Sequence, residues 1–203
     1  MIELERDGAL WRVVLDRPGK ANALTAAMLA DLLEIVTEAR GKAKVLVLTG
    51  RGRVFSAGAD LDEARAGLAT SDLWESLSGA IAGLPCLTIT ALNGTLAGGA
   101  FGMALACDMR ICVEGAEFFY PVVKLGFLPQ PSDPARLARL VGPARAKMIL
   151  LAGSRVSARE ALAWGLVERI TTAEELDDAV AELAAPALAA DPALICEIKR
   201  LIG

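Results

Sequence analysis

The sequence predicts an α/β fold, because segments with the pattern of strands alternate along the chain with segments that have the pattern of helices. Two continuous apolar runs of strand length, at 44–49 and 87–92, indicate a sheet covered by helices on both faces. Helix-start signals between and after these runs supply the covering helices. A chain of 203 residues, 54% of them hydrophobic, is long enough to bury one sizeable core. We therefore expect residues 1–203 to form a single domain.

The N-terminal half begins with strand patterns and continues with alternating elements. Ile2–Glu5 and Leu10–Leu15 alternate in polarity around Asp7-Gly8, which predicts a β-hairpin. Thr25 is placed to cap a helix that ends at Gly41. The next expected elements are a strand at 44–49, a loop at 56–59, a helix at 72–81, a strand at 87–92, a Gly-rich turn at 94–99, a helix through Cys107 and a strand at 109–113.

The last third is expected to be helical. Ser157–Glu160 and Thr172–Glu175 both fit the capping box, in which a hydroxyl and a carboxylate satisfy each other's free backbone donors. Asp191-Pro192 is a further start signal, with proline at the first helical position. Ser132-Asp133-Pro134 fits a cap for a helix at 135–140.

Composition excludes several classes of function. The chain has no histidine, so Ser-His-Asp and Cys-His catalysis and His-ligated metal sites are excluded, and we expect no metal. With 21 basic and 25 acidic residues and no basic block interleaved with aromatics, nucleic acid is not an expected partner. Four cysteines without a CxxC pair predict buried reduced thiols and a cytoplasmic protein. Neither a signal peptide nor a membrane span is expected.

Two glycine-rich loops, Phe55–Asp60 and Asn93–Ala100, are the strongest candidates for a site. Small residues let a ligand approach the backbone, and two N–H groups that converge on one oxygen form an oxyanion hole. The alternative is that these residues only permit close packing of helix on sheet. Neither loop carries the GxxxxGK[ST] phosphate signature or the dinucleotide fingerprint, and no GxSxG elbow is present.

Taken together, the motifs resemble those of the crotonase superfamily, also called the enoyl-CoA hydratase/isomerase family, over nearly the whole chain. The resemblance implies a ClpP-like spiral of ββα repeats with C-terminal helices, assembled as homotrimers or pairs of trimers. It also implies action on a CoA thioester. The matching segments are Asp16-Arg-Pro18, Asn22-Ala-Leu24, Phe55–Asp60, Asn93-Gly94, Ala97-Gly-Gly99, Cys107–Arg110, Leu125-Gly126 before Pro129, Ser157–Ala161 and Gly165–Val167.

The resemblance assigns roles to individual positions. The backbone N–H groups of Ala59 and Gly99 match those that hold the thioester oxygen. Coenzyme A, as part of the substrate and not as a tightly bound cofactor, would be contacted mostly through backbone atoms. Whether the Lys20 ammonium also meets a phosphate or is only solvated stays open. The matched coenzyme A positions are Lys20, Ala21, Asn22, Ala57 and Ala59.

The sequence departs from the family at its acids. The two hydratase glutamates fall on Gly102 and Val122, and an acid that some members carry falls on Gln130. Asp133 is the nearest carboxylate after the two loops, and it is either catalytic or the helix cap noted above. Trp74 and Leu77 either line an acyl pocket or pack in the core. The usual C-terminal helical extension is expected to be shortened or absent.

Two hypotheses of function follow from the resemblance. The first is an enzyme that stabilises a thioester enolate without being an efficient hydratase. It would be a lyase or isomerase of fatty acid metabolism, and decarboxylation suits the missing bases because loss of carbon dioxide needs no proton removal. The second is a catalytically degenerate acyl-CoA-binding or structural protein. In either case we expect a homo-oligomer, a trimer or hexamer, and no membrane partner.

Overall fold

The computed structural model describes residues 1–202, which form ten strands and ten α-helices. The strands are β1 (Ile2–Asp7), β2 (Leu10–Leu15), β3 (Val45–Gly50), β4 (Val54–Ser56), β5 (Leu87–Leu92), β6 (Thr95–Ala97), β7 (Met109–Val113), β8 (Glu117–Phe119), β9 (Val156–Ser157) and β10 (Arg169–Thr171). The helices are α1 (Ala26–Ala39), α2 (Leu61–Arg65), α3 (Leu73–Ala82), α4 (Phe101–Ala106), α5 (Val122–Leu125), α6 (Asp133–Val141), α7 (Pro143–Leu150), α8 (Ala158–Trp164), α9 (Leu176–Ala189) and α10 (Pro192–Ile202). The predicted α/β class is confirmed.

The larger sheet has six strands in the order β1-β2-β3-β5-β7-β10. The β1–β2 hairpin is antiparallel and every later pairing is parallel. Both faces of this sheet are buried, which explains the continuous apolar run of β3. Leu46 and Leu48 pack into the main core, whereas Val45 and Val47 pack on the other face against residues of α9.

A smaller sheet of four short strands, in the order β4-β6-β8-β9, lies in the same fold. Strands β4, β6 and β8 are parallel to one another, and β9 is antiparallel to β8. One long strand, one short strand and a helix therefore recur three times along the chain, beginning at β3, β5 and β7. This recurrence is the ββα repeat that the resemblance implies.

The helix ends test the predicted caps. Thr25 Oγ1 accepts from the N–H of Met28 at 3.2 Å, and Ser157 and Glu160 form the complete capping box. The reciprocal bonds of Thr172 and Glu175 also form, but α9 begins only at Leu176. Ala193 N–H donates to Asp191 Oδ1 at 2.8 Å at the start of α10, as predicted.

Three expectations are wrong. The last third is not wholly helical, because it contributes β9 and β10 to the sheets. The helix predicted at 135–140 begins at Asp133, and neither Ser132 nor Asp133 caps it with its side chain. Cys196 is exposed, whereas the other three cysteines are buried as free thiols.

Within residues 1–202, no helix by itself is long and apolar enough to span a membrane. Taken together, α9 and α10 have the length and apolar composition of a membrane span, but the two helices are bent by 110° relative to each other.

Candidate active site

The candidate site lies where three successive repeats leave the smaller sheet. Ala59 follows β4, Gly99 follows β6 and Tyr120 follows β8 directly. Because these three strands are parallel neighbours, their carboxyl ends meet at one edge of the sheet. The repeat architecture therefore gathers residues that are about 60 positions apart into one place.

The two glycine-rich loops touch at this edge. Gly58 has a φ of +92°, and a Cβ atom on it would lie 3.3 Å from the backbone nitrogen of Gly99. A side chain there would separate the loops, and glycine avoids both this contact and the strain of a positive φ. The predicted pairing of the loops is thus present in the structure.

Both predicted oxyanion donors are free. Ala59 pairs with Leu24 in an isolated β-bridge, but the residues on either side of Ala59 make its hydrogen bonds. Leu24 N–H donates to Gly58 O, and Asp60 N–H donates to Leu24 O. Gly99 lies in the first turn of a 3₁₀ helix, where N–H groups have no intrahelical acceptor. Among residues 1–202, neither N–H donates to a turn, loop or side-chain acceptor. Both residues are partly exposed.

The predicted coenzyme A segment is bonded to the first loop along its length. Ala57 N–H donates to Ala21 O at 2.9 Å, and Leu24 N–H donates to Gly58 O at 2.8 Å. Arg17 joins the same two segments through a 2.7 Å ion pair with Asp60, whose pKa this hydrogen bond lowers. Lys20, Ala21 and Ala57 therefore lie together beside Ala59, one of the two predicted oxyanion donors.

The side chain of Asn22 has a structural role, and the contact of its backbone with coenzyme A stays a prediction. This side chain is fully buried, accepts from Arg17 N–H at 2.8 Å and donates to Arg51 O and Val54 O. The Asn22 backbone carbonyl accepts from the Ser56 hydroxyl. Asn22 therefore holds the segment in shape, while Lys20 and Ala57 are exposed to solvent.

The glutamate positions are apolar, but one of them faces a carboxylate. Val122 begins α5 and is buried, and Gln130 is also buried. Gly102 lies in α4, one turn after Gly99, and a Cβ atom on it would meet Asp133 Oδ1 at 3.1 Å. The Asp133 carboxylate thus fills the space that a side chain at position 102 would enter.

Asp133 is fully buried and only half satisfied. The Tyr120 hydroxyl donates to its Oδ2 at 2.9 Å, and the Tyr120 ring stacks on Phe101 with centroids 5.3 Å apart. In the part of the chain that the structure describes, Oδ1 of Asp133 has no hydrogen-bond partner. Buried polar atoms without partners are rare, so this oxygen is a marked feature of the site.

Burial raises the pKa of Asp133 to about 7, from an ordinary value of 3.8. The hydrogen bond from Tyr120 and the charge of Arg136 act in the opposite direction, and the charge of Glu75 adds to the rise. Burial likewise raises the pKa of Tyr120 far above its usual value. Near neutral pH both forms of Asp133 are therefore populated, which suits a group that accepts and returns protons.

Two further groups border this site and were not predicted from the sequence. Glu75 in α3 accepts from the N–H and the hydroxyl of Ser132, so it fixes the residue before Asp133. Arg136 has a buried Nη1 without a partner among the described residues. Neither belongs to a recognisable motif, so only the packing of α3 on the start of α6 could reveal them. Trp74 and Leu77 are both core residues.

Comparison with known proteins agrees with this geometry. The profile of the family described as enoyl-CoA hydratase/isomerase matches residues 5–201. The chain belongs to this family. The resemblance to the crotonase superfamily is thereby confirmed, together with the fold that it implies.

Relatives within the family cover most of the chain. Carnitinyl-CoA dehydratase of Salmonella enteritidis PT4 is 37% identical over 209 residues, which are 98% of this chain and 79% of that protein. The crystal structure of an enoyl-CoA hydratase from Bacillus anthracis has a TM-score of 0.92 and 32% identity, and it covers 99% of this chain and 81% of that one. An enoyl-CoA hydratase/carnithine racemase from Magnetospirillum magneticum has a TM-score of 0.90 and 30% identity, with coverages of 99% and 79%.

Proposed function

We propose that this chain binds an acyl-CoA thioester and stabilises its enolate with the N–H groups of Ala59 and Gly99. The observation that carries the proposal is the pair of free backbone donors on two touching loops. Donors that are fixed before the reaction stabilise an oxyanion without reorganisation, and this is often the largest single contribution to such catalysis. Membership of a family whose relatives include a carnitinyl-CoA dehydratase supports a CoA thioester as substrate.

Coenzyme A would bind as part of the substrate along the joined segments at 20–21 and 57. Lys20 and Ala57 are exposed on the two segments that are hydrogen-bonded beside Ala59, so the thioester would reach Ala59 and Gly99 from that side. Three buried free thiols support a cytoplasmic site of action.

Self-association in trimers or hexamers stays a prediction. Exposed apolar side chains at α5 and just after it, on Val123, Leu125 and Leu128, favour it.

The competing hypothesis is a protein that binds acyl-CoA and has lost catalysis. It rests on the neutral residues Gly102, Val122 and Gln130 at the three acid positions. The buried carboxylate of Asp133 beside Gly102 weakens it, because a merely degenerate site has no need of an unpartnered ionisable group.

The test removes one oxyanion donor with a matched steric control. Gly99→Pro deletes the N–H, and Gly99→Ala keeps it while adding a Cβ that meets the same Trp74 ring at 3.3 Å. Turnover is followed with 3-enoyl-CoA thioesters, by the absorbance of the conjugated product, and with malonyl-type thioesters, by loss of carbon dioxide. We expect the proline variant to be slower than the alanine variant by about 10²- to 10³-fold.

Equal rates for Gly99→Pro and Gly99→Ala would show that the Gly99 N–H does not stabilise the oxyanion. Absence of turnover and of calorimetric acyl-CoA binding by the folded wild-type protein would overturn the proposed function as a whole. Binding without any turnover would favour the degenerate hypothesis.

A further inference from the structure

We propose that Asp133 is the proton-transfer group of this site, with Oδ1 as the reacting oxygen and Tyr120 as the residue that positions it. The proposal rests on the proposed function, because the proton is exchanged with a carbon of the bound thioester. It assigns the chemistry to a residue in the first turn of α6 and not to any of the three expected acid positions.

The first step of the argument is distance. Asp133 Oδ1 lies 3.1 Å from the Cβ position of Gly102, and Gly102 follows the oxyanion residue Gly99 by one helical turn, which is about 5 Å. A thioester whose oxygen is held at Gly99 has its α-carbon one bond from the carbonyl carbon. An acyl chain that runs from Gly99 toward Gly102 would pass Oδ1. Because Asp133 is 0% exposed, the side chains that cover Oδ1 have to move aside when the thioester binds.

The second step is the division of labour between the two oxygens. Oδ2 accepts from the Tyr120 hydroxyl at 2.9 Å, and stacking on Phe101 fixes the Tyr120 ring. Oδ1 is buried and has no partner within residues 1–202. A structural carboxylate would have both oxygens satisfied, whereas a proton acceptor needs one oxygen free and correctly oriented.

The third step is the exclusion between positions 102 and 133. A Cβ atom at 102 would lie 3.1 Å from Oδ1, closer than most Cβ contacts, so a larger residue at 102 would require the Asp133 carboxylate to shift by a few tenths of an ångström. Positions 102 and 133 thus share one space, and in this chain the carboxylate in that space comes from 133 and not from 102. The same space is served from a different helix.

The reaction that one such carboxylate supports is a proton shift. Ionised Oδ1 takes a proton from the α-carbon of a 3-enoyl thioester, and the electron pair of the C–H bond forms a dienolate whose oxygen is held by Ala59 and Gly99. The carboxylic acid then returns the proton to the γ-carbon, and the double bond moves next to the carbonyl. No water and no second reactant are consumed, so the step balances with this single group.

Shielding from solvent adds a specific expectation. Because Asp133 has no exposed surface, the proton on Oδ1 returns to the substrate faster than it exchanges with water. In D₂O the conjugated product should therefore carry mostly the original proton at its γ-carbon. Mass spectrometry or NMR of the product measures this retention.

The principal test compares the wild-type protein with Asp133→Asn, which keeps the size of the side chain and an acceptor for Tyr120. We expect isomerisation of 3-enoyl-CoA to fall by roughly 10²- to 10⁴-fold, with KM changed only a few-fold. The wild-type rate should rise with pH to a plateau above about 7, in keeping with the raised pKa of Asp133. The charged and titratable groups that face Asp133 are Glu75, Arg136 and Tyr120.

A second test moves the carboxylate. Asp133→Gly alone should be inactive. Adding Gly102→Glu should raise the rate at least tenfold above that of Asp133→Gly, because removal of the Asp133 side chain frees space for a side chain at 102. Thermal unfolding and acyl-CoA calorimetry confirm that each variant folds and binds. A double variant no faster than Asp133→Gly would overturn the assignment of this space as the place of proton transfer.

The outcomes separate the two proposals. If Asp133→Asn retains more than a third of the wild-type rate with an unchanged pH profile, Asp133 is not the proton-transfer group. If the wild-type protein decarboxylates malonyl-type thioesters but does not isomerise 3-enoyl thioesters, the enolate function stands and the inference about Asp133 fails. If the wild-type protein neither binds nor converts any thioester, the proposed function fails first.

Discussion

Arg110 and Asp133 are both buried charged residues, and both lie against α4. The side chain of Arg110 is 3% exposed and sits at the C-terminal end of that helix, whereas Asp133 is 0% exposed and faces Gly102 near its start. Arg110 donates to Leu166 O, Ala104 O and Cys107 O at 2.9–3.2 Å and pairs with Glu168 at 2.6 Å. Asp133 receives one hydrogen bond and leaves one oxygen free.

The difference separates a group that holds the fold from a group that is available for chemistry. The Arg110 guanidinium donates to carbonyls at the end of α4 and links them to the segment before β10. Its hydrogen-bond donors are therefore engaged in structural contacts. Asp133 keeps unsatisfied capacity at a position where burial costs stability. A buried charge with a full set of partners and one without are thus expected to respond in opposite ways to substitution.

The largest loss of stability caused by a substitution is expected at Arg110. Arg110→Met should lower the free energy of unfolding by about 3 kcal/mol, because it leaves three carbonyls and Glu168 Oε1 without the guanidinium that donates to them. The Arg110 backbone N–H still donates to Glu168 Oε2 in the variant. Denaturant unfolding measures the change. The control is Arg169→Met, whose pair with Glu182 is largely exposed and should cost under about 1 kcal/mol. A loss of unfolding free energy in Arg110→Met no larger than that in Arg169→Met would show that Arg110 does not have the structural role that distinguishes it from Asp133.

Asp133→Asn should change stability in a pH-dependent way. The unfolded carboxyl ionises near its ordinary value of 3.8, whereas the folded one keeps its proton to about 7 because of burial. The stability that Asp133 contributes is therefore present below pH 4 and is lost as the pH rises to 7. Relative to the variant, the wild-type protein should lose roughly 4 kcal/mol over this range.

Unfolding of both proteins at pH 4, 5.5 and 8 measures this difference. A constant difference across the three values would show that Asp133 is ionised in the folded state like an ordinary surface aspartate.

The smallest effect is expected for Tyr120→Phe, which removes the donor to Oδ2. The loss of one buried hydrogen bond should lower the free energy of unfolding by about 1–2 kcal/mol. Because this bond lowers the pKa of Asp133, its removal should move the midpoint of the pH–rate profile upward. In an Asp133→Asn background, Tyr120→Phe should lower the free energy of unfolding by less than it does in the wild-type protein. Equal effects in the two backgrounds would argue against the contact between Tyr120 and Asp133.

The longer elements of the fold could be predicted from the sequence, but the shorter ones could not. The strands β3, β5 and β7 are predicted within a residue, because strands buried on both faces are rich in apolar residues. The pattern tolerates the two threonines of β5 and Arg110 in β7. Strands β4, β6, β8 and β9 have two or three residues each, too few for any periodicity. Pairing with their neighbours, and not their own sequence, determines them.

The candidate site divides in the same way. Small residues mark the loops around Ala59 and Gly99, so the touching loops were predictable. Asp133 was ambiguous because Ser-Asp-Pro is a good local cap signal, and the competing interaction comes from Tyr120 in another repeat. Since β8 was not recognised, the direction of Tyr120 could not be deduced. Glu75 depends in turn on how α3 packs near Ser132.

The order of strands in the larger sheet also bears on how the protein assembles during its synthesis. From β1 to β10 the order across the sheet is the order along the chain, so each parallel strand joins an edge formed by strands already made. No strand has to insert between two earlier ones, which limits the exposure of unpaired edges on a growing chain. The loops with Ala59 and Gly99 emerge before Tyr120 and Asp133. We expect the proposed oxyanion donors to be in place on the nascent chain before the Asp133 carboxylate is added.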